Sequence, residues 1–192
     1  VGEESHSGSH SKYSRSWRDA GGGSLLRLAV HPLGAALHMK YEEGRRRGGK
    51  PIRAASVTAE VASLTKIEAF KEEPRTYLRA DWEDVEDFAA MILTFEDGSV
   101  AQLGGTDTVL GGIRNQLTAY GSRAVVQANL NPNTACLAYT PDGEHFKDEY
   151  LVEKLETKEG WSFPAPDEDL ITGYPDELRD FVGAISRGRA PH

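Results

Sequence analysis

Three alternating apolar and polar runs, each turned back on itself by a tight-turn dipeptide, limit what this chain can become. Asp97-Gly98 separates Phe88–Phe95 from Ser99–Gly104, Gly121-Ser122 divides the run from Arg114 to Leu130, and Asp142-Gly143 divides the run from Thr134 to Glu156. Glycine takes the positive φ that a short hairpin turn needs, and alternation at period two marks a strand with two unlike faces. Runs that follow one another through short turns pair antiparallel. The segment Ile52–Ala62 also alternates and is rich in small and β-branched residues, which suits a strand packed on something bulky.

Helical periodicity frames these strands. After a period-free leader over residues 1–23, rich in Ser, Gly and His, Ser24 is placed to cap a helix from about Leu25 to Met39. Pro32 removes a backbone donor and biases His31 away from helical dihedrals, so a kink or a late start is expected there. The following Tyr41–Lys50, with three glycines and four basic residues, reads as a solvated loop. Near the end, Pro175 suits a first helical residue, Asp176 and Glu177 complement the helix N-terminus, and Leu178, Phe181, Val182 and Ile185 form one apolar face before Gly188. Helix, meander, helix gives an α+β domain, residues 1–192, on an open and mainly antiparallel sheet of about six or more strands with helices on one face.

Charge and composition narrow the function. The chain carries a net charge of −8, and the stretch from Asp142 to Asp180 alone sums to −9. A broad phosphate-neutralising surface is therefore not expected, and nucleic acid is not an expected partner. No apolar run approaches the roughly 18 residues of a membrane span. Cys136 is the only cysteine, which excludes an internal disulfide and any thiolate-rich metal site. The first ten residues lack the basic and apolar regions of a signal peptide, and the chain does not start with Met, so a segment of a longer, cytoplasmic protein is expected.

The ordered set of Ser5–His10, Trp17–Pro32 with its Gly21–Gly23 run, Glu86–Leu103, Leu117–Val126 and Gly173–Pro191 resembles the C-terminal domain of the Gfo/Idh/MocA oxidoreductases. The resemblance covers nearly the whole chain. It implies a glyceraldehyde-3-phosphate dehydrogenase-like C-terminal fold, and a parent whose separate N-terminal domain binds NAD or NADP and carries a lysine near the reacting carbon. No strand followed by GxGxxG occurs here, so no cofactor is expected on this chain. The partners implied are a small sugar-like substrate and a second copy of the chain, through the open sheet.

In the family the glycine-rich run continues into an Asp and a His four residues apart, and Arg27 and His31 occupy those positions here. Alcohol oxidation needs a base for the hydroxyl proton, and His titrates near neutrality, so His31 is the expected catalytic residue. A hydrogen-bonded core or helix-end histidine is the alternative. Arg27 departs from the family pattern, as do Ala29 and Gly34; a guanidinium cannot accept the His31 N–H and would lower its pKa by repulsion. Three readings of Arg27 stand: it binds an anionic group such as a uronate, it marks lost dehydrogenase activity, or it snorkels from a helix flank.

His6, His10 and Lys12 are expected to contact sugar hydroxyls, against the alternative of a mobile leader; with one cysteine and no HExxH motif, zinc is not expected. Trp17 is expected in the core rather than over a pocket. Arg114 and Asn115 face either the pocket or another subunit. Trp161, Phe163 and Pro164 precede an acidic Asp167–Asp169 loop, whose pattern is not that of a calcium loop. Asp107 is a weaker substrate candidate, read as a solvated strand end. The leading expectation is the substrate-binding and oligomerisation domain of an NAD(P)-dependent oxidoreductase acting on a sugar or cyclitol alcohol or ketone, inert by itself. The alternative is a dimerising carbohydrate-binding or structural module without catalysis.

Overall fold

The computed structural model describes residues 1–73, 77–129, 138–144, 147–148, 151, 157–162, 164 and 168–191. Among the described residues eight strands run in chain order: β1 Gly2–Ser5, β2 Ala54–Ala62, β3 Phe88–Phe95, β4 Val100–Thr106, β5 Arg114–Tyr120, β6 Val125–Asn129, β7 Ala138–Thr140 and β8 Gly160–Ser162. The main sheet has the order β2-β3-β4-β1-β5-β6, and β7 pairs with β8 separately. The hairpins β3–β4 and β5–β6 both form; Gly98 takes φ 81° as expected, whereas Gly121 is not in the left-handed region and donates its N–H to Ala124 O in the longer turn between Tyr120 and Val125. The first strand enters between them, parallel to β4 and antiparallel to β5, which makes the sheet mixed.

Two expectations about strands change. Ala54–Ala62 forms an edge strand exposed along almost its whole length, paired with β3 but packed on nothing bulky. The run around Asp142-Gly143 does not close on itself among the described residues: Ala138–Thr140 pairs instead with Gly160–Ser162, and Tyr139 packs its ring on Trp161 at 5.5 Å. Cys136, Phe163 and Asp167 lie outside the described residues.

The helical layer begins with α1, Trp17–Ala20, continues through a π-helical turn, Leu25–Ala29, and runs straight into α2, Val30–Gly48. The expected irregularity near His31 takes the form of this wider turn, which relieves the missing N–H and the ring of Pro32. The helix does not stop at Met39: Tyr41–Gly48 is helical rather than a loop. Glu42 pairs with Arg45 and Arg46, and Glu43 with Arg47, at helical spacing, each worth roughly 0.2–0.5 kcal/mol. Gly44 adds a close approach, since a Cβ there would lie 2.4 Å from Ile52 N. Gly49, at φ 72°, ends the helix by donating its N–H to Arg45 O.

Alternate residues of β3 and β4 face this layer. Met91, Leu93, Phe95, Ala101 and Leu103 are buried against Ala29 and Ala36, with Leu25, Leu33 and Ile52 at the margin. Each large side chain here contributes roughly 1.5–3 kcal/mol over its exposed state. The small residues on the helical side let the two layers approach closely, and Gly105 marks the closest point: a Cβ there would meet Ala29 N at 2.5 Å. The other face, including Ile92, Val100, Tyr120 and Val125, is exposed. Two further helices, α3 Glu68–Lys71 and α4 Glu168–Thr172, precede α5, Tyr174–Arg187, whose Leu178, Phe181, Val182 and Ile185 are exposed.

Candidate functional site

The close approach at Gly105 brings the π turn and the start of α2 down onto the ends of β1 and β4. Register places Asn115, Glu4, Gly105 and Ala89 in one row across the sheet. Because Gly105 has no side chain, the helical segment settles over this row and His31 reaches its neighbour Glu4. His31 Nδ1 lies 2.6 Å from Glu4 Oε2, and Asn115 Nδ2 donates to the same oxygen at 2.6 Å. The His31 side chain is 56% exposed and that of Glu4 only 10%. The hydrogen bond to Glu4 raises the His31 pKa above its ordinary value, partial burial opposes this, and the Glu4 charge adds to the rise. Repulsion from Arg27 predicts a lowered value; the direction is the opposite because Glu4 is the charged neighbour that the ring meets, while Arg27 pairs with another carboxylate.

That carboxylate is Asp107. It is no solvated strand end: directly after β4 it is fully buried, and Oδ2 accepts from Arg27 Nη2 at 2.6 Å and from Ser24 Oγ at 2.9 Å. Arg27 is itself largely buried, with its guanidinium carbon 5.1 Å from the Trp82 ring centroid, so it does not snorkel to water. Burial pushes the Asp107 pKa up, and the charge and hydrogen bond of Arg27 with the Ser24 hydroxyl offset only part of that; Asp87 adds repulsion. His6 Nδ1 lies 3.4 Å from Asp107 Oδ1 and accepts the Gly8 N–H at 2.9 Å.

The leader is folded. Arg79 N donates to Ser7 O at 2.8 Å, its side chain reaches the carbonyls of Ser9 and His10, and a Cβ at Gly8 would strike Arg79 Cβ at 2.2 Å. His6 is buried, whereas His10 and Lys12 are exposed. The structure thus gathers His6 and Arg27 around Asp107, sets His31 on Glu4 beside them, and leaves His10 and Lys12 outside both groups. Trp17, expected in the core, is 58% exposed and held through its backbone N–H by Asp84 Oδ1 at 2.6 Å. Asn115 faces the His31 group, and Arg114 pairs with Glu3 at 2.8 Å on the opposite face.

The glycine-rich run is committed as well. Gly23 N and Leu25 N both donate to Glu86 Oε1, at 2.9 and 3.0 Å, and a Cβ at Gly23 would lie 1.8 Å from Glu86 O. A dinucleotide phosphate needs such amides free and would be repelled by the carboxylate that holds them. These residues do not fit a dinucleotide. Among the described residues no group of three or more His, Cys, Asp or Glu is gathered for a metal ion, and no helix is long and apolar enough to cross a membrane.

Sequence reasoning missed Glu4, Glu86 and Trp82 and undervalued Asp107. Only Asp107 left a trace, as a polar residue ending a glycine-containing strand.

Comparison with known proteins places this geometry. GenD2 from gentamicin A biosynthesis, solved in complex with NAD, is 26% identical, with a TM-score of 0.63 over 97% of this chain and 45% of that one. A myo-inositol 2-dehydrogenase from Lactobacillus plantarum, 16% identical, shares the fold with a TM-score of 0.52 over 94% of this chain and 42% of that one. The chain therefore spans less than half the length of either protein. No curated relative matches the sequence. Residues 3–127 match the GFO/IDH/MocA C-terminal domain, and the chain belongs to that family.

Proposed function

We propose that this chain is the substrate-side domain of an NAD(P)-dependent oxidoreductase that interconverts a sugar or cyclitol alcohol and its ketone, with the dinucleotide held by a separate domain. The observation that carries the reading is His31: a half-exposed imidazole pinned at Nδ1, in the first turn of α2, in a domain of this family. The chain's own share of the chemistry is the proton. Nε2 of neutral His31 takes the hydroxyl proton as the carbinol becomes a carbonyl, and returns it in the reverse direction. NAD in the GenD2 structure and the substrate named for the inositol dehydrogenase support the cofactor and substrate classes. Arg27, held by Asp107, shapes the site rather than gripping an anion. His6 supports the same buried group, while His10 and Lys12, exposed where the folded leader reaches the surface, are the side chains left to meet sugar hydroxyls.

Calorimetric titration of the chain with NADH and NADPH tests the division of labour. No binding is expected, and tight dinucleotide binding would refute it. A panel of sugars and cyclitols assayed with the enzyme that carries both domains tests the substrate class; turnover confined to compounds without a secondary alcohol would overturn it.

A second reading rests on the exposed sheet face. Ile92, Val100, Tyr120 and Val125 present exposed apolar surface that no described helix covers, and such a face suits a symmetric dimer. In that reading the chain is a dimerising module whose site has lost its chemistry.

A further inference from the structure

We propose that Glu4 is the positioning residue of His31, fixing its tautomer and the direction of its free nitrogen from the sheet rather than from the helix. This rests on the proton-transfer role proposed above. The residue one helical turn before His31 is Arg27, which cannot accept an N–H, and its charge is already spent on Asp107. A carboxylate for His31 has to come from another element. Strand β1 supplies it: Glu4 shares the row of Gly105, the point where the helical segment comes closest to the sheet, and the imidazole two residues beyond Ala29 lands on it.

The contact is built as a holder. Glu4 is mostly buried and its Oε2 takes two donors, the His31 ring and Asn115 Nδ2, each at 2.6 Å. Two donors on one oxygen fix the carboxylate, and the carboxylate fixes the ring. With Nδ1–H donated to Glu4, the neutral imidazole keeps its lone pair on Nε2, which bonds to none of the described residues. Nε2 is then the atom that exchanges the proton, and an adjacent carboxylate makes it the stronger base. The charges around the ring are few: Glu4 on β1, neutral Asn115 on β5, and Arg27 paired with Asp107. Glu3 and Arg114 lie across the sheet and pair with each other.

Nitrogen-15 NMR of the chain reads this directly. In the unmodified protein the neutral His31 ring is expected as the Nδ1–H tautomer; an Nε2–H tautomer would overturn the proposal without any mutation. In Glu4→Gln the His31 titration midpoint is expected to fall toward its ordinary value, with Glu4→Asp intermediate and Asn115→Ala a smaller fall. An unmoved midpoint in a folded Glu4→Gln protein would contradict it. In the enzyme with its dinucleotide domain, Glu4→Gln is expected to lower kcat by roughly 10-fold or more with KM little changed, and to move the acid limb of oxidation, where His31 becomes protonated, to lower pH. A limb that stays in place while turnover persists rejects the positioning role alone. Absence of turnover in the unmodified enzyme, with the tautomer as expected, rejects the dehydrogenase reading and leaves the pairing intact.

Discussion

Asp107 and Arg27, 80 residues apart in the chain, close a buried ion pair at 2.6 Å where the end of β4 meets the π turn. The pair sets how the helical segment carrying His31 sits on the sheet, and its partners are not interchangeable with the water-facing arginines of α2. Removing one member of such a pair leaves an uncompensated buried charge, which costs about 3–5 kcal/mol. Arg27→Ala is therefore expected to lower the urea midpoint sharply with an unchanged slope. Loss below about 1 kcal/mol would show that the pair is dispensable.

Installing the family's aspartate at position 27 is not a simple restoration. Arg27→Asp sets a second carboxylate against Asp107, whose pKa burial already holds above its ordinary value. A carboxyl group with a raised folded pKa contributes its stability at low pH and loses it as pH rises through that value. Arg27→Asp raises it further. The variant is expected to be least stable at neutral and alkaline pH and to recover on acidification, read from thermal midpoints across pH. A deficit that does not depend on pH would contradict the like-charge account.

Gly105 is expected to be intolerant where its neighbour is not. In Gly105→Ala the new methyl meets the Ala29 backbone at 2.5 Å, whereas in Gly104→Ala the nearest atom is Ala89 O at 3.2 Å. Overpacking of the first kind costs about 1–3 kcal/mol. The second should change stability by about 0.5 kcal/mol. Chemical denaturation of the two variants decides, and equal tolerance would mean that the layers are not in contact there.

The His31–Glu4 pair should stabilise the fold only on the acid side. The folded His31 pKa lies above the ordinary 6.5, so the contribution is fully present below about 6.5 and fades as pH rises through the folded value. Half-exposure and screening keep it below about 1 kcal/mol. The stability difference between the unmodified chain and His31→Gln is expected to be measurable at about pH 5.5 and to vanish well above the titration midpoint. The reverse trend would mean that the folded pKa is depressed.

Exposed apolar residues on the sheet face opposite α2 predict self-association. Sedimentation should show a dimer, and Ile92→Lys, a charge in the middle of that face, should dissociate it. A monodisperse monomer at high concentration would count against the sheet as an interface.

The β3–β4 hairpin was legible because Asp97-Gly98 carries its own turn chemistry, and β5–β6 because alternation on either side of Gly121-Ser122 marks two strands, although Gly121 does not take the positive φ. β1 was not, since Gly2–Ser5 has no apolar alternation; it becomes a strand only because β4 and β5 leave a slot where Gly2 fits beside Leu103, Leu117 and Pro32. Glu4 was hidden with it. The length of α2 was hidden too, because its last turns are held by ion pairs and by the fit of Gly44 against Ile52 rather than by an apolar stripe. His31 could be singled out from a resemblance in the sequence, but its partner required the register of four strands.

The central claim is that this domain moves the substrate proton through His31. The most direct measurement is turnover by His31→Gln in the enzyme carrying its dinucleotide domain, with cofactor affinity measured alongside. The account predicts a fall in kcat of about 10²-fold or more at unchanged dinucleotide affinity. Full turnover in that variant would contradict it.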